Sequence, residues 1–254
     1  MSRTWFRFIT GAFALLICAP AVQAGQEWIQ PDTGYPYLLH LPSDYEESNK
    51  EYPLMLFLHG AGERGNNPEQ LAKHGPPKLL NATSQAASPT PDIFDMIVVS
   101  PQCPAESWWK SGQVKVVLDR VRAEYRVDES RIYCTGLSMG GFGTWTLVSK
   151  HPALFAAAAP ICGGGNAYAR LQGRLGTSPD EVANAENLTS VPIWAFHGAK
   201  DQVVPVELSI EMVEKVRDEG GEVLLTIYPF AGHDSWTQTY ESPMIYDWLL
   251  SHSK

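Results

Sequence analysis

The stretch Gly136-Leu137-Ser138-Met139-Gly140 lies between an apolar run, Ile132–Cys134, and a second apolar stretch, Phe142–Val148. That order places a serine where a strand turns sharply into a helix, the setting a G-x-S-x-G nucleophile requires. The flanking glycines let strand and helix approach closely enough to hold the serine in a strained, exposed turn. A serine hydroxyl is a weak nucleophile until a neighbouring base takes its proton, and an imidazole with a pKa of about 6.5 suits that near neutral pH. Of the seven histidines, His233 in Phe230-Ala-Gly-His-Asp234 is placed best, in a loop beyond the last strand and before a closing helix. His40, His74, His151 and His252 read as surface or strand-edge residues.

A carboxylate must fix the imidazole tautomer, and on a strand-turn-helix scaffold of this kind the chain order is serine, acid, histidine. Asp201 fits, following the buried-strand pattern Trp194-Ala-Phe-His-Gly198. Asp234 is the rival, but it adjoins His233 and is badly placed to reach its neighbour's ring. Acyl transfer also needs N–H donors aimed at a developing oxyanion. One is expected from Met139, just after the serine and at a helix start. The other is expected from Ala61, in His59-Gly-Ala-Gly62 at the end of the strand Leu54–Leu58. His59 itself reads as structural, bonding the loop backbone, and Glu63 with Arg64 as a local ion pair.

These residues need a scaffold, and the apolar, β-rich runs that could supply it recur at Tyr35–Leu41, Tyr52–His59, Asp95–Pro101, Arg131–Leu137, Phe155–Cys162, Pro192–Gly198 and Glu222–Tyr228. Leu54–Leu58 and Ile97–Val99 are apolar on successive residues, as in central strands covered on both faces. Between runs, Gln113–Tyr125 and Pro205–Glu219 carry apolar residues at helical spacing, the second ended by Gly220-Gly221. The alternation predicts an α/β fold: a mostly parallel central sheet of about eight strands with helices on both faces. Asn81–Asp92 reads as a surface loop. Gly163–Ser190 reads as an irregular insertion with a short helix, too polar and too short for a large lid, so the site is expected to be open.

The chain has 254 residues, and the first 24 have the character of a secretory signal: Arg3 and Arg7, an apolar run Ile9–Ala19, then Val22-Gln-Ala24. Residues 25–254 are then expected to form a single catalytic domain, secreted or periplasmic, with no stable membrane insertion. Two arginines and no acid leave with the signal, taking the formal charge from −9 to −11, which argues against a nucleic-acid partner. Cys103, Cys134 and Cys162 then remain, an odd number with no C-x-x-C pair, so a zinc site is not expected and at most one disulfide can form. The chemistry implied needs no metal or cofactor.

Together, His59-Gly-Ala-Gly-Glu-Arg-Gly65, Lys73–Lys78, Ser100–Pro104, Gly136–Gly141, Pro160–Gly163, His197–Asp201 and Gly232–Trp236 resemble the bacterial esterase and "predicted peptidase" branch of the α/β-hydrolase superfamily. Feruloyl-esterase and polyhydroxybutyrate-depolymerase-like proteins stand close to that branch, which is related to the catalytic domain of prolyl oligopeptidases. The resemblance implies the triad Ser138, Asp201 and His233, an oxyanion hole from Ala61 and Met139, and a carboxylic-ester substrate. Short-chain esters or acetyl and feruloyl groups linked to polysaccharide are expected first, with a serine peptidase or a polyester depolymerase as alternatives. Trp108 and Trp109 are expected to line the cleft as substrate-binding aromatic walls.

Overall fold

A computed structural model of the chain describes residues 25–81, 93, 95–171 and 177–254. The expected signal segment 1–24, nearly all of the loop Asn81–Asp92 and residues 172–176 of the insertion fall outside these. The described residues form eight strands: β1 Gln26–Ile29, β2 Tyr37–His40, β3 Tyr52–Leu58, β4 Ile97–Pro101, β5 Val127–Leu137, β6 Ala157–Ile161, β7 Ile193–Gly198 and β8 Val223–Tyr228. The helices are α1 Pro68–Leu71, α2 Gly75–Leu80, α3 Ser111–Glu124, α4 Met139–Lys150, α5 Ala167–Leu171, α6 Glu207–Asp218, α7 Trp236–Tyr240 and α8 Pro243–Leu250. No helix among the described residues is long and apolar enough to cross a membrane.

One sheet contains all eight strands in the order β1-β2-β4-β3-β5-β6-β7-β8. β1 and β2 pair antiparallel, β2 joins β4 antiparallel, and every pairing from β4 to β8 is parallel. The mostly parallel sheet follows from the run of strands separated by helical crossovers. β1 is the strand the apolar patterning passes over, because Gln26-Glu-Trp-Ile29 is short and only half-buried at the sheet edge.

Alternation along the central strands sorts side chains into two cores. On one face Leu54, Leu56, Leu58, Ile97, Val99, Ile132 and Ala195 pack with α3, α4 and α6 through Val117, Leu118, Trp145 and Val213. On the other, Met55, Phe57, Val98, Tyr133, Ala159 and Phe196 meet Leu79 and Leu80 of α2 and Tyr240, Tyr246 and Leu249 of α7 and α8. Covering both faces is what makes the successive apolar residues of β3 and β4 necessary. The carboxyl ends of β3, β5, β7 and β8 therefore converge at one edge of the sheet, each delivering its loop to the same place.

Candidate active site

Ser138 sits between the last residue of β5 and the first of α4, with φ 53° and ψ −115°. A non-glycine residue at that φ is strained, and close packing around it keeps it there. A Cβ added at Gly140 would lie 1.8 Å from the Leu58 carbonyl oxygen, and one at Gly136 2.5 Å from the Gly140 oxygen. The backbone N–H of Ser138 is donated to the Ile161 carbonyl at 2.9 Å and to the Cys162 sulfur at 3.3 Å. Strand, turn and helix thus fix the backbone at the serine.

His233, on the loop between β8 and α7, meets it. Its Nε2 is 2.9 Å from Ser138 Oγ, and its Nδ1 is 2.7 Å from Asp201 Oδ2. A carboxylate only accepts, so Nδ1 carries the proton and Nε2 is left as the acceptor of the serine hydroxyl. Trp236 stands edge-on to the imidazole, ring centres 5.2 Å apart at 89°, and restricts its swing. Asp234, the alternative acid, instead bonds the N–H and hydroxyl of Thr237 at 3.0 and 2.9 Å and starts α7.

The Asp201 side chain is fully buried and its acceptor capacity is filled. Oδ1 accepts the N–H groups of Val203 and Val204 at 2.8 and 2.9 Å. Oδ2 accepts His233 and lies 3.2 Å from His197 Nε2. Asp201 therefore caps the following turn and orients the histidine at once. Burial opposes its charge, but the bonds from His233 and from the Val204 and Val203 amides outweigh it and hold the carboxyl below the usual carboxylate range.

Ala61 opens a short 3₁₀ turn, Ala61–Glu63, and Met139 opens α4. Both amides fall at helix starts, where N–H groups have no intrahelical acceptor. The two segments are in contact, since the Cβ that Gly140 lacks would also lie 2.8 Å from the His59 carbonyl. His59 is wholly buried. Its Nε2 accepts the Cys103 N–H at 2.9 Å, leaving Nδ1 to donate to the Gly60 carbonyl at 2.6 Å. Burial lowers its pKa to about 4, against the pull of that carbonyl. Gln102, also fully buried, ties Glu63 and Asn67 to the end of β4 through bonds of 2.7 to 3.0 Å. The loop bearing Ala61 is therefore held on several sides by hydrogen bonds to buried groups, the preorganisation an oxyanion site requires.

Two sequence expectations are corrected here. Glu63 and Arg64 do not pair: Arg64 donates to the carbonyls of Ala61 and Ser107, while the buried Glu63 faces His74 at 3.9 Å and burial raises its pKa. Nor is Trp109 a cleft wall. It is 2% exposed, donates its indole N–H to the His59 carbonyl at 3.1 Å and packs against the Tyr35 and His59 rings. It supports the Ala61 loop from beneath. Trp108, edge-on to Phe142, is only 7% exposed and offers a substrate little surface.

Patterning passes over three further residues at the site. His197, four positions before Asp201, reads as part of a buried strand, and nothing in its spacing separates a core histidine from one bonded to the acid. Cys162, with φ 41°, and Trp236 become visible only when the β6 and β8 loops are brought together. Cys162, Asp201 and His233 are also the group of His, Cys and carboxylate donors found close enough to hold an ion among the described residues, within 4.8 Å of one another. Asp201 and His233 are already bonded together there, and burial holds the Cys162 thiol protonated.

A family model described as "Dienelactone hydrolase family" matches residues 103–246, more than half of the chain and the stretch that carries Ser138, Asp201 and His233. The chain belongs to the dienelactone hydrolase family. Within the wider α/β-hydrolase fold, it is similar to a probable feruloyl esterase C of Aspergillus terreus, 25% identical over 198 residues that make up 76% of this chain and 64% of that protein. It is also similar to poly(3-hydroxyalkanoate) depolymerase C of Paucimonas lemoignei, 31% identical over 130 residues, 44% of this chain and 31% of that one. The chain thus spans less than two thirds of the length of either relative. Among solved structures, a thermostable esterase superposes with a TM-score of 0.71 at 35% identity, covering 90% of this chain and 63% of that one.

Proposed function

We propose that this member of the dienelactone hydrolase family is a serine hydrolase of carboxylic esters. The observation that carries the reading is the unbroken chain from Ser138 Oγ through His233 to Asp201, at 2.9 and 2.7 Å, on a strained turn beside two helix-start amides. In this reaction Ser138 Oγ attacks the ester carbonyl carbon while His233 Nε2 takes the hydroxyl proton. The Ala61 and Met139 N–H groups bind the oxyanion. The tetrahedral adduct expels the alcohol, which takes the proton from His233, and leaves an acyl group on Ser138. Water, deprotonated by the same imidazole, then releases the acid. Asp201 stays ionised throughout, holding Nδ1–H and stabilising the imidazolium.

Short-chain and carbohydrate-linked acetyl or feruloyl esters are the substrates proposed, in keeping with the feruloyl esterase relative. Residues 25–254 are proposed as one catalytic domain, exported by the signal-like segment 1–24. The test is hydrolysis of para-nitrophenyl acetate, butyrate and decanoate and of methyl ferulate, with Ser138→Ala in parallel. Activity on the shorter esters and on ferulate, lost in Ser138→Ala, supports the reading. A folded protein inert to every ester, or a fully active Ser138→Ala, overturns it.

A further inference from the structure

Behind the triad lies a second buried histidine bonded to the acid. His197, at the end of β7, is 0% exposed. Its Nε2 faces two oxygens that only accept, the Val204 carbonyl at 2.9 Å and Asp201 Oδ2 at 3.2 Å, so Nε2 carries a proton shared between them. Its Nδ1 is 2.7 Å from the Ser209 hydroxyl, which reaches the Gly163 carbonyl at 3.1 Å. Gly163 follows Cys162, whose sulfur accepts the Ser138 N–H. The Ser209 hydroxyl stands between two acceptors, His197 Nδ1 and the Gly163 carbonyl, with one proton to give.

We propose that His197 is a positioning residue for the reaction assigned above: through its Nε2–H it holds Asp201 Oδ2 in line with His233 Nδ1, and the Ser209 hydroxyl, bonded to Nδ1, fixes the ring in that orientation. The proposal rests on the esterase reading for its kinetics, and on geometry alone for its structural part. Val203 and Val204 hold only Oδ1. Without His197 the carboxylate is free to turn about that anchored oxygen, and Oδ2 is steered by His233 alone. A misplacement of that kind, remote from the reacting atoms, costs up to about 10²-fold in rate.

The proton count makes the device sensitive to acid. In the neutral ring Nδ1 accepts the Ser209 proton, and the Gly163 carbonyl is left without one. With a second proton, Nδ1 donates to Ser209, Ser209 donates to Gly163, and no heavy atom has to move. The charged ring would then compete with His233 for Asp201. Titratable groups facing this network are Asp201, His233 and, behind Asp201, Cys162. Burial lowers the His197 pKa against the opposing Val204 carbonyl and Asp201, which keeps the ring neutral near pH 7.

The experiment compares wild type, Ser138→Ala, His197→Leu, His197→Gln and Ser209→Ala in para-nitrophenyl acetate hydrolysis from pH 5 to 9, and records the downfield proton resonance of His233 Nδ1–H. For His197→Leu we expect kcat lowered about 10- to 100-fold with KM within about twofold, a moved acid limb, and the resonance shifted upfield or lost. His197→Gln, which keeps an N–H near Nε2, is expected to recover much of both. Should His197→Leu fail to fold, Ser209→Ala, which removes the bond to Nδ1, reads the same positioning with a smaller loss of kcat and a displaced acid limb. A folded His197→Leu, or failing that Ser209→Ala, with wild-type kcat, pH profile and resonance overturns the proposal. If wild type hydrolyses no ester, the catalytic reading fails, and the resonance alone decides whether His197 positions Asp201.

Discussion

The sulfur of Cys162 accepts the backbone N–H of Ser138 at 3.3 Å, placing a thiol directly behind the candidate nucleophile. Cys103, Cys134 and Cys162 are all unpaired and buried, and burial raises the thiols, Cys103 to about 11 and Cys134 to about 12. Thiolate is the reactive form. A chain starting at Gly25 should therefore show no rapidly titrating thiol at pH 8 and three after denaturation, with esterase activity unaffected by iodoacetamide. Rapid loss of activity with one thiol modified would place Cys162 within reach of solvent.

Asp201 combines two tasks, and one substitution separates them. Asp201→Asn keeps an oxygen for the Val203 and Val204 amides, so the turn before α6 should survive. The amide nitrogen, turned toward His233, forces the wrong tautomer. On the esterase reading kcat should fall about 10⁴-fold, with an unfolding midpoint close to wild type. Near-normal turnover would move the acid role to another carboxylate.

Much of this arrangement was legible in the sequence. Seven of the eight strands are announced by apolar runs, most plainly the central parallel strands β3 to β6, which are covered on both faces, and the turn at Ser138 is announced by glycines where an added Cβ would meet main-chain atoms. The proposed triad of Ser138, Asp201 and His233 was read from chain order along these elements, and the three side chains lie in hydrogen-bond contact. Trp109 and His197 were not legible in the same way. An indole beside a strand end and a histidine inside a strand have the same local pattern whether they face a cleft, a carbonyl or a carboxylate. Which they face is decided by where other segments fold back: the His59 loop, 50 residues away, for Trp109, and the turn at Val204 with Ser209 of α6 for His197. Strand β1 escaped for a simpler reason: its four residues, Gln26-Glu-Trp-Ile29, are half-buried and two of them are polar, so they make no apolar run.

The two kinds of glycine make opposite predictions. At Gly140 an added Cβ would overlap the main-chain oxygen of Leu58, which cannot retreat without breaking β3. Gly140→Ala should therefore be destabilised by at least ~3 kcal/mol, the upper range for overpacking, and lose activity as the turn opens. At Gly112, in the first turn of α3, nothing lies within 4 Å of the new atom, so Gly112→Ala should gain about 0.5 kcal/mol. Urea unfolding of both variants checks the pair.

His59 ties stability to pH. Its folded pKa, lowered to about 4 by burial, lies below the unfolded value of about 6.5. Between those limits the unfolded chain binds the extra proton, so the stability contributed by the neutral ring is complete above about pH 6.5 and is lost as pH falls toward 4. The shift corresponds to a loss of about 3 kcal/mol across the window. Burial lowers His151 and His197 in the same direction, so they add to the slope. Protonation of Nε2 would also break the bond from Cys103 that steadies the Ala61 loop, and activity should decline with stability. Urea unfolding at pH 7.5, 6.0 and 5.0 should show the midpoint dropping, and His59→Gln should flatten part of that drop while starting from a lower stability at pH 7.5. An equally steep decline in His59→Gln would assign the slope to the other two histidines.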